Sequence, residues 1–95
     1  MSIDQYIVCF ENCTLRHIEA LAMLGLIVEA KQEDCERPRF KKITATLYDG
    51  RVVTSTCYLD EEVAHSLRII QIYIGVARKN NAIGKLAIVE GRAEE

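Results

Sequence analysis

From Val63 the apolar positions Val63, Leu67, Ile70, Ile74 and Ala77 recur at intervals of four, three, four and three, which places them on one stripe of an α-helix. Ile69, Tyr73 and Val76 widen that stripe to about half of the circumference at 3.6 residues per turn. The ends are marked too. Asp60 suits an N-cap, Glu61 and Glu62 match the positive end of the helix dipole, and Arg78 and Lys79 match the negative end. The Asn80-Asn81 pair ends the helix, since Asn tolerates the left-handed conformation. The pattern predicts a helix over 60–80, and a stripe this wide requires a sheet, or a sheet and a second subunit, to cover it.

Upstream the pattern changes period. Ile3 to Phe10, with Tyr6, Val8 and Phe10 alternating against Ile7 and Cys9, reads as an internal strand with apolar side chains on both faces. Asn12 or Thr14 can cap a helix over Leu15 to Leu24, in which Leu15, Ile18, Leu21 and Ala22 follow helical spacing and Gly25 is the stop. Leu26 to Glu33 reads as a strand with Leu26, Val28 and Ala30 facing one way and Glu29 and Lys31 the other; the alternative is that the helix continues through Gly25 to Gln32. Asp34 to Arg39 is a polar connection holding the only proline, Pro38. Phe40 to Tyr48 and Arg51 to Leu59 then form a hairpin through Asp49-Gly50. A type I turn with Gly50 left-handed puts Ile43, Ala45 and Leu47 on one face with Val53 and Cys57. The same turn puts Thr44, Thr46, Thr54 and Thr56 on the other face, whereas a strict two-residue turn mixes these sets. The bulged turn is therefore expected, with the threonine face in solvent and the aliphatic face under the long helix. Lys85 to Val89 is a short strand candidate, and Gly91 to Glu95 a frayed tail.

Composition narrows the class. The chain has 95 residues, 49% of them hydrophobic, and no low-complexity tract, enough for one small core without a metal or disulfides. The longest uncharged apolar run, Ala20 to Val28, is too short to span a bilayer, and no basic-then-apolar leader opens the sequence. In that context Cys9, Cys13, Cys35 and Cys57 are expected to be reduced thiols of a cytoplasmic protein. The net charge is -2, but its distribution is uneven: residues 1–36 sum to -5, residues 37–59 to +4 and residues 60–95 to -1. The centre is basic and its flanks are acidic.

Little of this suggests catalysis. Cys9, Cys13 and His17 step by four, but zinc needs a fourth ligand and no Cys-x-x-Cys knuckle is present. Cys13 near a helix start, with His17 or His65 as base, lacks an identifiable oxyanion site. There is no phosphate-binding glycine loop, no Gly-x-Ser-x-Gly elbow and no His-Glu-x-x-His helix. No enzyme activity, metal or cofactor is expected. The basic segment carries more: Arg37, Arg39, Lys41 and Lys42 lie within six residues with Phe40 among them, and Arg51 sits at the hairpin tip. Such a set suits either phosphates and a stacked base or an acidic protein surface. In element order alone, over residues 14 to 80, the chain resembles the double-stranded RNA-binding domain. That family opens its second helix with phosphate-gripping lysines, where this chain has Asp60, Glu61 and Glu62.

The sequence thus predicts a single α+β domain over residues 1–91, with an antiparallel sheet and helices at about 14–25 and 60–80 packed on one face. The function expected is that of a small non-enzymatic protein-binding module that occupies a partner's surface through Arg37, Arg39, Phe40, Lys41, Lys42 and Arg51. A phage or mobile-element inhibitor of a bacterial defence complex, of the anti-CRISPR type and acting in host cytoplasm, is one setting. A small nucleic-acid-binding protein using residues 37–42 and the hairpin is the alternative. The width of the second helix also makes a homodimer an expectation.

Overall fold

The structure, a computed structural model, describes residues 3–84. The strand expected at Lys85 to Val89 and the tail beyond it lie outside the described residues. A short 3-10 turn, Ile3–Tyr6, precedes helix α1, Leu15–Met23; strands β1, Ile27–Asp34, β2, Phe40–Leu47, β3, Val52–Thr54, and β4, Tyr58–Leu59, follow, and helix α2, Asp60–Lys79, comes last. The sheet is antiparallel, with β2 between β1 and β3 and with β4 continuing along β2. This is an α+β domain in which α2 packs on β1 and β2 and beside α1. No described helix is long and apolar enough to cross a membrane.

Local chemistry explains the boundaries. Thr14, in extended backbone, caps α1 by accepting from His17 N–H at 3.0 Å. Gly25 follows α1 at φ +80, and a side chain there would crowd the Ala82 carbonyl. At the other helix Asp60 is the first helical residue and not the cap. Leu59 occupies the cap position without a side-chain bond, and Asp60 N–H donates to Arg39 C=O at 2.9 Å. Asp60, Glu61 and Glu62 still line the first turn, where the dipole favours them. The far end closes as its asparagines suggest: Asn81 is left-handed at φ +56, and Ala82 N–H reaches back to Ala77 C=O at 2.7 Å.

The hairpin keeps the expected register. Gly50 is at φ +96, Ala45 pairs with Val53 and Thr44 with Thr54, so Ile43, Ala45, Leu47 and Val53 are all buried while the threonines face outward. Cys57 departs from the expected face. Between Thr44↔Thr54 and Lys41↔Tyr58, three steps along β2 face four on the opposite strand, so the chain bulges and Cys57 is exposed. Ser55 repairs the ladder there: its buried hydroxyl accepts from Ile43 N–H at 2.9 Å and donates to Thr56 C=O at 2.8 Å. Ser55→Ala leaves one donor and one acceptor unmet and is expected to cost about 2 kcal/mol. Urea unfolding will show a lower midpoint at unchanged slope, and an unchanged midpoint would remove the hydroxyl from the ladder.

Two expectations are corrected at the N-terminal side. Ile3 to Phe10 is not a strand: Ile3–Tyr6 is a 3-10 turn, Ile7 enters the core and Val8 and Phe10 are exposed. At the end of this segment Cys9 and Cys13 form a disulfide with Cα atoms 5.3 Å apart, which turns the chain back on itself. The tight loop instead lays Phe10 to Cys13 along the free edge of β3, through Thr54 N–H to Phe10 C=O at 2.7 Å and Cys13 N–H to Thr54 C=O at 3.1 Å. The second correction is that no cysteine is a thiol. Cys35 and Cys57 are also bonded, across a Cα separation of 6.4 Å.

The strand expected over Leu26 to Glu33 is present as Ile27–Asp34, but a bulge between Ile27 and Glu29 breaks its alternation, burying Ile27 and Ala30 and leaving Val28 only half-buried. The outer edge of β1 is closed by side chains of α2: Gln71 donates to Ala30 C=O at 3.0 Å and Arg78 to Val28 C=O at 2.7 Å. Both sheet edges are thereby guarded against pairing with other strands.

Candidate functional site

The basic segment begins in the turn after β1 and runs into β2, and the two-residue period of the strand divides it. Arg37, Phe40 and Lys42 turn to the sheet face away from the helices. There, with Asp34, Cys35, Glu36 and Cys57, they line an open cleft of about 480 Å³. The Arg37 guanidinium lies over the Phe40 ring, 4.6 Å from its centroid, so two of the expected contact residues form one preassembled unit. Cys35 N–H donates to Phe40 C=O and Phe40 N–H to Arg37 C=O. With the Cys35–Cys57 bond beside them, these fix the turn that carries Arg37.

Arg39 and Lys41 go the other way. They line a shallow depression with Gln32, Asp60, Glu61 and Ala64, against the start of α2. Arg39 is left-handed at φ 72, a conformation that lets its carbonyl meet Asp60 N–H. Lys41 is committed within the chain: its ammonium donates to the Asp34 carboxylate. That hydrogen bond first, and the charge attraction second, hold the Asp34 carboxyl below its usual range. The same bond, helped by Asp60, holds Lys41 above its own. The sign follows directly. Asp34 contributes stability above the ordinary aspartate range and loses it as pH falls through its lowered value, while Lys41 contributes below the ordinary lysine range and loses it as pH rises through its raised value. The pair is therefore intact across the neutral range, and its exposure keeps the contribution small.

Arg51 is not part of this cluster. It sits at the far end of β2, roughly 20 Å from Phe40 at the strand rise per residue, where it pairs with Asp49 at 2.8 Å and stiffens the hairpin turn. Of the six residues expected to act together, Arg37, Phe40 and Lys42 share one cleft and Arg39 and Lys41 another, a third at the turn between them is lined by Arg37, Arg39, Phe40 and Lys41 together, and Arg51 stands apart.

The chemistry considered for the cysteines changes with their bonding. Cys13 is 1% exposed and joined to Cys9, so it has no thiolate to offer a substrate or a metal in this state. His17 Nε2 is buried without a hydrogen-bond partner among the described residues. His65 is exposed on α2. The residues missed by sequence reasoning are the carboxylates Asp34 and Glu36 and the disulfide, which share the cleft with the cations.

No protein family, curated protein or solved structure matches this chain. The functional reading therefore rests on the geometry itself.

Proposed function

We propose that the chain is a non-enzymatic binding module that works by occupying the surface of a protein partner with the Arg37, Phe40 and Lys42 side of its sheet. The observation that carries this is the mosaic of charge. The cations of residues 37–42 are interleaved with carboxylates: Glu36 beside Arg37 and Lys42, Asp34 in the same cleft but bonded to Lys41, and Asp60 and Glu61 beside Arg39 and Lys41. A polyanionic backbone favours a continuous basic track. A protein surface, with both signs and an aromatic anchor to bury, matches a mosaic better. An anti-defence inhibitor is a setting in which such a module needs no chemistry of its own. That setting is a reducing cytoplasm and requires binding that survives reduction, whereas an oxidising compartment keeps the bonded form.

The test is capture from bacterial lysate, with and without nuclease and with and without dithiothreitol. The baits are the wild-type chain, Arg37→Glu/Phe40→Ala and Arg51→Ala. A stoichiometric, nuclease-resistant protein is expected on wild type and Arg51→Ala, with roughly tenfold less on the double variant, as for loss of an interface anchor. Recovery of nuclease-sensitive material alone, weakened steeply by salt, would replace this reading with the nucleic-acid one.

A further inference from the structure

The exposed side of α2 holds features that the fold does not use. Ile72 is 58% exposed and Val76 49%, one turn apart on the face that looks away from the sheet. Gly75 lies beside them, also exposed. Glycine is the least favourable helix-interior residue after proline, yet a side chain at Gly75 would meet nothing within 4 Å, so the chain's own packing does not require it. What a bare backbone permits here is close approach by something outside the chain. The same face is charged at its ends with opposite signs: of the acidic first turn Glu61 lies on it, and of the basic last turn Lys79.

These observations together select one occupant. We propose that α2 pairs antiparallel with α2 of a second copy about a two-fold axis beside the middle of the helix, between Arg68 and Ile72. Glu61 of each copy then lies opposite Lys79 of the other, because both are nine residues from Ile70. Residues 61, 68, 72, 75 and 79 fall on one side of the helix at 100° per residue, so the charged ends, Ile72 and Gly75 meet the partner together, with Arg68 of each copy against Ile72 of the other. Ile72 and Val76 are buried between the copies and Gly75 lets the backbones come close. A parallel pair would set like charges against each other at both ends, which the antiparallel pair avoids. The self-complementarity is the argument for a second copy over a foreign helix. The surface is separate from the cleft of residues 34–42, so a dimer presents two such clefts.

The test is sedimentation equilibrium of the full chain from micromolar to millimolar concentration, with circular dichroism to confirm that each variant folds. Wild type is expected to pass from monomer to dimer. Ile72→Asp, at an exposed position, is expected to stay folded and monomeric throughout. Gly75→Ala separates the two roles of that residue: it is expected to raise the thermal midpoint of the dilute monomer by about 4 °C, and to weaken the dimer roughly tenfold. Glu61→Lys and Lys79→Glu are each expected to weaken it roughly fivefold, two symmetric surface ion pairs being lost. The Glu61→Lys/Lys79→Glu chain is expected to recover wild-type association, because each reversed charge again faces its opposite. A wild-type chain monomeric at every concentration overturns the proposal. So does a dimer indifferent to Ile72→Asp, and failure of the doubly reversed chain to recover overturns the antiparallel arrangement.

Discussion

Removing the Cys35–Cys57 bond by Cys35→Ser/Cys57→Ser, with Cys9 and Cys13 untouched, is expected to lower the unfolding free energy by about 3 kcal/mol. The two residues are 22 apart in sequence, and cross-linking a loop of that length removes about this much chain entropy from the unfolded state. The Cys9–Cys13 loop spans four residues, so the same reasoning gives it about 2 kcal/mol. The order of the two effects, larger for the longer loop, is part of the prediction. Against a total stability of roughly 5–14 kcal/mol for a domain of this size, reduction of both bonds removes much of the margin. Urea denaturation of the oxidised protein and the two serine pairs measures this, and alkylation without reductant should find no free thiol. If the Cys35→Ser/Cys57→Ser chain unfolds at the wild-type midpoint, the bond does not constrain the chain. The functional consequence is local. Cys35 and Cys57 hold the turn that carries Arg37 and Phe40, so the same variant should loosen partner binding more than Cys9→Ser/Cys13→Ser does.

The disulfides also mark the limit of what the linear pattern could tell. The long helix, the core of its stripe and its C-terminal end were legible from a 3.6-residue period sustained for twenty residues and closed by Asn80-Asn81, whereas the cap at Leu59 and the exposure of Val76 were not. The hairpin register was legible too, since only the bulged turn at Gly50 puts Ile43, Ala45 and Val53 on one side. The Ile3 to Phe10 segment has the composition of a strand, yet it begins as a 3-10 turn and ends in the loop closed by Cys9 and Cys13. Val28 lost its place in the alternation to a bulge, and Cys57 to another. Neither bulge is announced by a glycine, the usual punctuation; at the second, Ser55 supplies hydrogen bonds from its side chain. Cysteine pairing depends on distances between β1 and the β3–β4 connection that no spacing in the chain encodes.

The candidate site was legible in membership and not in shape. Arg37, Phe40 and Lys42 do line one cleft. Their separation from Arg39 and Lys41 was readable in principle, since consecutive strand residues point to opposite faces. A count of charges within six residues overlooks that alternation. The place of Asp34 and Glu36 in the cleft was not readable. It follows from the antiparallel return of β2 along β1, which brings Asp34 opposite Lys41 and makes a run that is basic in sequence mixed in space.

Ile70→Ala is expected to cost about 3–4 kcal/mol, the range for a buried aliphatic side chain cut back in a site that cannot fully collapse. Ile70 is 0% exposed, in the middle of α2 where the helix lies over β1 and β2. The sheet beneath presents the small cross-strand pair Ala30 and Ala45, both buried, so the space between helix and sheet is filled from the helix side. Neither alanine can extend into a cavity left above it. Ile70→Val, removing one methyl, should cost about 1 kcal/mol. Ile72 is identical in chemistry and two positions away, yet it is turned by about 200° around the helix and is 58% exposed. Ile72→Ala, measured by denaturation in dilute solution where the chain is monomeric, should therefore change stability by less than about 0.5 kcal/mol. Comparable costs at the two positions would mean that α2 presents a different face to the sheet. That result would also remove the exposed stripe on which pairing of two copies depends.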